Sequence, residues 1–193
     1  MTTPSSLKII RDEHSTLAAM LKSTRMLVER GPQDDPKGFF DVLRAMLFYI
    51  EEFPERLHHP KETELLFPRV AAAAPDTIAS ITRLDHDHEY TEKAVRDLLH
   101  LLVAWEMMGE PRREAFTQTF KRYVDLYLSH MRMEEEEILP AAVKYLTPED
   151  WKALDEAFEA NRETMTKQQS PDKAYDELFS RIVRAAPAPI GLG

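Results

Sequence analysis

Four long stretches of this chain carry apolar side chains at spacings of three, four and seven. Successive residues of an α-helix are turned by about 100°, so this spacing gathers the apolar groups into one stripe that must be buried against another element. From Ser5 to Arg30 the stripe is Leu7, Ile10, Leu17, Met20, Leu21, Met26 and Leu27. "GPQDDPKG" ends it, and Phe40, Leu43, Leu47 and Ile50 mark a second helix from about Phe39 to Phe53. Pro54 and Pro60 each remove an N–H and crowd the preceding turn, which predicts a kink or short break before the helix resumes through Leu66. Pro75 opens a third helix that runs through Trp105. After "MMGEPRRE" a fourth covers Arg113 to Tyr145, with Phe116, Phe120, Val124, Tyr127 and Leu128 on its stripe. Met46, Phe48, Phe116 and Tyr127 read as core.

This order predicts an all-α fold, an antiparallel up-down four-helix bundle over residues 5–146. Residues 147–193 form an extension: two shorter helices start at "TPEDW" and "SPDKAYDELFSRIV" and pack outside the bundle. Their Trp151, Phe158 and Phe179 suit either a cover for the bundle or a homodimer contact, and "APAPIGLG" reads as a loose terminus.

Composition narrows the function. A net charge of −9 without a basic stripe argues against nucleic acid as a partner. The absence of cysteine excludes disulfides, thiolate metal sites, iron–sulfur clusters and a cysteine nucleophile. The N-terminus lacks the basic and apolar regions of a signal peptide, and runs such as "AMLFYI" are too short to span a bilayer, so no membrane partner and a cytoplasmic location are expected.

The two halves repeat. His58 is followed by Glu62 and then Pro68 in "HHPKETELLFP"; His130 is followed by Glu134 and then Pro140 in "HMRMEEEEILP". Upstream of each pair stands a single histidine, His14 and His88, at nearly equal separations. A His and a Glu one turn apart share a helix face. Four helices can therefore bring His14, His58, His88, His130, Glu62 and Glu134 to one level of the bundle. Imidazole and oxygen donors suit iron, manganese or zinc, and a carboxylate can bridge two ions. Two octahedral ions ask for about twelve donor positions; four imidazoles, two bridging carboxylates and a shared oxide or hydroxide leave about two open.

With these residues the chain resembles the hemerythrin-like, or HHE cation-binding, family. The resemblance spans about residues 7–146 and rests on "DEH" at His14, "HHPKETELLFP", "DHDHEYTE" at His88 and "SHMRMEEEEILP". It implies a four-helix bundle around two non-haem iron ions, with His14, His58, Glu62, His88, His130 and Glu134 as ligands. His58 is preferred to His59 because Glu62 follows it by one turn, whereas His59 would pair with Thr63; if Pro60 breaks the helix, His59 regains its claim. His88 is preferred to His86 because Glu92 follows it by one turn. Glu92 occupies the place where oxygen-carrying members have a further histidine, so it joins His59 as an additional candidate and argues against reversible oxygen carriage. Thr63 stands where the family often has a second glutamate. Otherwise His59, His86 and His100 read as surface or supporting residues. Tyr49 or Tyr127 could donate a hydrogen bond to a bound oxygen species.

These expectations favour a binding protein over an enzyme: a di-iron centre for dioxygen, nitric oxide or iron, in sensing or iron handling. An enzyme-like role in iron-centre repair, nitric oxide reduction or peroxide removal would need a redox partner, which the sequence does not name. A zinc-holding interaction bundle is the third reading.

Overall fold

The computed structural model describes residues 3–166 and 173–192, and among them there are helices and turns but no strand. Helix α1 (Ser5–Arg30) stops at Gly31, whose φ of +73° lets its N–H reach back to the Leu27 carbonyl at 3.0 Å. Helix α2 (Pro36–Ile50) begins where the Asp35 carboxylate accepts the Gly38 N–H at 2.9 Å. Helix α5 (Ile78–Met108) follows a 3₁₀ turn at Pro75–Thr77, and α6 (Arg113–Met133) follows another at Glu110–Arg112. The fold is all-α, a hemerythrin-like helical bundle.

Of the kink or short break expected in the second helix, no break occurs. The rod continues from α2 through wide π-helical turns at Glu51–His58, one α-turn α3 (His59–Lys61), further π turns at Glu62–Leu66, and α4 (Phe67–Ala73). The fourth rod does the same: α6, a π segment at Glu134–Ile138, then α7 (Leu139–Tyr145). Each π segment closes on the residue just before a proline. His59 N–H bonds the Pro54 carbonyl, Phe67 the Glu62 carbonyl and Leu139 the Glu134 carbonyl, and Pro60, Pro68 and Pro140 come next. A proline ring collides with the carbonyl four residues back and disfavours tight α geometry in its predecessor. Opening one turn to the carbonyl five back relieves both without breaking the rod. This gives the sequence repeat its physical meaning: Glu62 and Glu134 are each the first residue of such a turn.

The core is split in two. Leu17, Met20, Leu43, Val95, Leu98, Trp105, Phe116 and Tyr123 belong to one apolar cluster; Leu7, Ile10, Leu66, Phe67, Leu84, Ile138 and Leu139 belong to the other. Along α1, His14 falls between the two clusters, so a layer of buried polar groups separates two apolar plugs. Met26, Phe48 and Leu128, read as apolar-stripe or core residues, are instead 44 %, 44 % and 39 % exposed. Phe48 follows the fully buried Leu47, and a 100° step carries it off the inward face.

Helix α8 (Pro148–Thr166) begins with a reciprocal cap: Thr147 N–H donates to Asp150 at 3.0 Å and Asp150 N–H donates to the Thr147 hydroxyl at 3.2 Å. It lies against α1, and Leu154 and Phe158 are fully buried in the second cluster. Helix α1 has no side-chain cap of its own; Asp155 of α8 supplies one, accepting the Ser6 N–H at 2.8 Å. Helix α9 (Lys173–Ala185) packs on α2, with Phe179 against Tyr49. The expected start of this helix at Ser170 lies outside the described residues. The terminal stretch is not loose. Ala186 is buried, Ile190 N–H donates to the Ser23 hydroxyl at 3.0 Å, and Leu192 N–H donates to the Val183 carbonyl at 2.8 Å.

Candidate metal centre

Five imidazoles and two carboxylates fill the polar layer. His14 comes from α1, His58 from the end of the first π segment of the second rod, His59 from α3, His88 from α5 and His130 from α6; all are at most 8 % exposed. Glu62 and Glu134 are 0 % and 1 % exposed. The ligand atoms form two groups, each within 4.8 Å: His14, His58 and Glu62, and His59, Glu62, His88 and His130. Glu62 is common to both. Glu134 also faces both, at 3.2 Å from His14 Nε2 and 3.2 Å from His130 Nε2.

The rings share one orientation rule. Each Nδ1 faces an oxygen away from the carboxylate pair. His14 Nδ1 meets Glu135 at 3.1 Å, His58 Nδ1 meets Glu13 at 2.5 Å and His59 Nδ1 meets Glu55 at 3.0 Å. His88 Nδ1 lies 2.9 Å from the Thr63 hydroxyl, which itself donates to Asp85, so Thr63 is the acceptor here. His130 Nδ1 is 3.5 Å from Asp87, within ion-pair reach. Nε2 is then the inward nitrogen: it is 3.0 Å from Glu62 in His58 and 3.5 Å from Glu62 in His88. Outer hydrogen bonds of this kind fix both the tautomer and the ring angle of metal-binding histidines.

Sequence reasoning preferred His58 and kept His59 as an additional candidate; the structure brings both into the layer. Neighbours on a helix point about 100° apart. His58 therefore meets His14 of α1 with ring centroids 5.2 Å apart, while His59 stacks on His88 at 3.9 Å. The preference for His58 over His59 overlooked that a histidine needs no glutamate one turn ahead if its partner lies one turn behind. Glu55 is that partner. Glu92 is not brought to the layer; it sits on the outer face of α5, 52 % exposed, paired with Arg96 at 2.5 Å. His86 is exposed and near Glu89, and His100 is exposed. Tyr127 is at the layer, with its hydroxyl 3.0 Å from His59 Nε2, whereas Tyr49 stacks on Phe53 and Phe179. Glu13, Glu55, Thr63, Asp87 and Glu135 were missed as orienting residues. Glu13 and Asp87 immediately precede His14 and His88, and each turns to hold the histidine of a different helix.

The electrostatics call for cations. Both oxygens of Glu62 and both of Glu134 are buried without a hydrogen-bond partner, although imidazole nitrogens lie within ion-pair distance. An uncompensated buried carboxylate costs several kcal/mol. Burial works against the Glu134 carboxylate, but His130 and His14 beside it hold it well below the usual range. Burial likewise opposes protonation of His130, yet Glu134 and Asp87 push it up to about 10. Burial and the adjacent His88, His58 and His130 hold His59 well below its ordinary value, leaving it a neutral donor. Positive charge is drawn to the layer, and the chemistry of the donors fits divalent metal ions competing with protons for the same lone pairs.

Among known proteins, an uncharacterised protein of Haemophilus influenzae is 30 % identical over 95 residues, 49 % of this chain and 53 % of the relative, so the match spans about half of that protein's length. The family model of the hemerythrin HHE cation-binding domain matches residues 5–142, which takes in every residue of the polar layer. This chain belongs to the hemerythrin HHE cation-binding family.

Proposed function

We propose that the layer is a non-haem di-iron centre that binds a small diatomic ligand, dioxygen or nitric oxide, in sensing or iron handling. The observation that carries this reading is the pair of buried, unpartnered carboxylates, Glu62 and Glu134, set between two groups of imidazoles. His14 and His58 would hold one ion, and His59, His88 and His130 the other, with both glutamates shared. Five imidazoles and two bridging carboxylates offer about nine donor positions, more than two four-coordinate zinc ions use and fewer than two six-coordinate ions accept. On that count an ion beside His14 and His58 would have more open positions than one beside His59, His88 and His130. A surface cavity of about 460 Å³, lined by Arg11, His14, Ser15, Leu128, Met131 and Glu135 among others, reaches that side.

Iron bound there would supply reversible one-electron chemistry and an open coordination position. The chain's own residues do the rest. Glu13 and Glu135 hold His58 and His14 with Nε2 turned inward. Phe158 closes on the His58 ring, with centroids 5.9 Å apart, and limits water. Elemental analysis of protein from iron-fed cells, combined with the visible spectrum under oxygen and nitric oxide, tests the proposal. Two irons per chain and a charge-transfer band that changes reversibly with the gas are expected. A full complement of zinc, or iron whose spectrum ignores both gases, refutes it.

A further inference from the structure

Three seams between the rods are filled at the level of the metal layer. Between the second rod and α5, His59 stacks on His88 with centroids 3.9 Å apart, and Phe67 stacks on His88 at 5.6 Å. Between α5 and α6, the rings of His88 and His130 lie 4.7 Å apart, with Asp87 beside His130. Between α1 and the second rod, the rings of His14 and His58 lie 5.2 Å apart, and Phe158 of α8 backs His58. The seam between α1 and α6 differs, because the cavity of about 460 Å³ lies in it. Its α1 wall includes Ser15 and Ala18, and its α6 wall Leu128 and Met131. Leu128 is 39 % exposed, whereas Met131 is 6 % and His14 4 % exposed, so Met131 and His14 form the floor. Methionine is unbranched with three rotatable bonds and readily fills or vacates an irregular gap. Ala18 packs against the same apolar cluster as Met131 and leaves it room. A leucine at that position would serve the apolar face and close the seam. At the mouth, Arg11 and Arg132 balance Glu135 and Glu136, so the entrance draws neither sign of ion, and the apolar floor opposes the passage of a charge.

We propose that the seam between α1 and α6 is the entry route to the centre, that Met131 is its gate and that Ala18 sets its width, so that it passes a small neutral diatomic molecule and excludes bulkier ones. The inference rests on the reading of the layer as a diatomic-binding centre and names the residues that select the ligand. With the Met131 side chain packed into the seam, the cavity ends at the floor and bulk water is kept from the layer. A change of its side-chain rotamer, into the room beside Ala18, opens the way past His14. Both residues determine specificity through passage and not through contact with the bound ligand. Entry and exit use the same route, so a change at either residue alters association and release by the same factor and leaves the equilibrium affinity as it was.

The test is stopped-flow mixing of nitric oxide with reduced full-length protein whose iron has been counted, with release followed separately by trapping the freed gas. Ala18→Leu should slow both rates by about tenfold or more, because passage must then push apart an overpacked seam. Met131→Ala should speed both. Met131→Ile keeps an apolar side chain of similar size but is stiff at its first torsion, so it should slow both. The dissociation constant should stay the same throughout, and Val103→Leu, on the exposed face of α5, should change nothing. Nitrosobenzene, which offers a nitroso donor on a wide ring, should enter wild type far more slowly than nitric oxide and gain most from Met131→Ala. Wild-type rates in Ala18→Leu and Met131→Ala at equal iron content overturn the route and leave the di-iron reading standing. A shifted dissociation constant without matched rate changes shows contact with the bound ligand and overturns the gate. Nitrosobenzene that enters wild type as fast as nitric oxide overturns the size limit. If Ala18→Leu does not load iron, the two Met131 variants decide, and rates that do not move in opposite directions overturn the gate. A chain that takes up no iron, or iron that binds no nitric oxide, overturns both readings.

Discussion

Glu13→Gln isolates one orienting bond. Glu13 is 7 % exposed, and its Oε2 accepts from His58 Nδ1 at 2.5 Å, leaving the His58 Nε2 lone pair turned toward Glu62. Glutamine keeps the shape and an acceptor oxygen but loses the charge. A hydrogen bond to an ionised group contributes about 1.5–3 kcal/mol and a neutral one about 0.5–1.5. The difference, about 1–1.5 kcal/mol, corresponds to roughly tenfold in affinity. Glu13→Ala, which removes the acceptor altogether, should approach the upper end of the roughly 10–100-fold cost of losing such a partner. The loss should fall on the ion held by His14 and His58, because Glu13 touches neither His59, His88 nor His130. Competition against a colorimetric chelator, with the two dissociation steps resolved, reads this directly, and exposed Asp12→Asn serves as the control. An unchanged first step, or equal weakening of both ions, would refute the argument that carboxylates outside the layer set the ligand geometry.

Three further outcomes follow from the same structure. His59→Gln should lower metal content at the His88 and His130 side, whereas Glu92→Gln should not, as metal analysis of the two variants will show. Chelation should destabilise the fold: each ion present at a hundred times its dissociation constant contributes about 2.7 kcal/mol. For a chain of this size that corresponds to a fall in Tm of about 10–20 °C for the pair, and a Tm indifferent to chelator would contradict a buried site. Asp155→Ala removes the cap that α8 places on α1, so Tm should drop by about 2–4 °C, for roughly 1 kcal/mol, with metal stoichiometry unchanged.

Much of this was legible in the sequence because helical periodicity and the repeated His-to-Glu spacing both report which face of a helix is buried. His14, His58, Glu62, His88, His130 and Glu134 share one layer for that reason. His59 was ranked below His58 because its partner Glu55 precedes it, so no glutamate one turn ahead marks its face. Glu13 and Thr63 were illegible for a different reason. They orient histidines on other helices, and one helix's spacing says nothing about which neighbour its side chains will meet. The docked terminus was missed because alanine, proline and glycine carry no apolar pattern. The bonds of Ile190 and Leu192 use backbone groups, to which sequence is blind.

Anomalous diffraction at the iron edge, on crystals of iron-loaded protein, tests the central claim most directly. Two peaks are predicted, both flanked by Glu62 and Glu134, one beside His14 and His58 and the other beside His59, His88 and His130. A single peak, or a second peak that leaves His59 without a metal, would contradict the account.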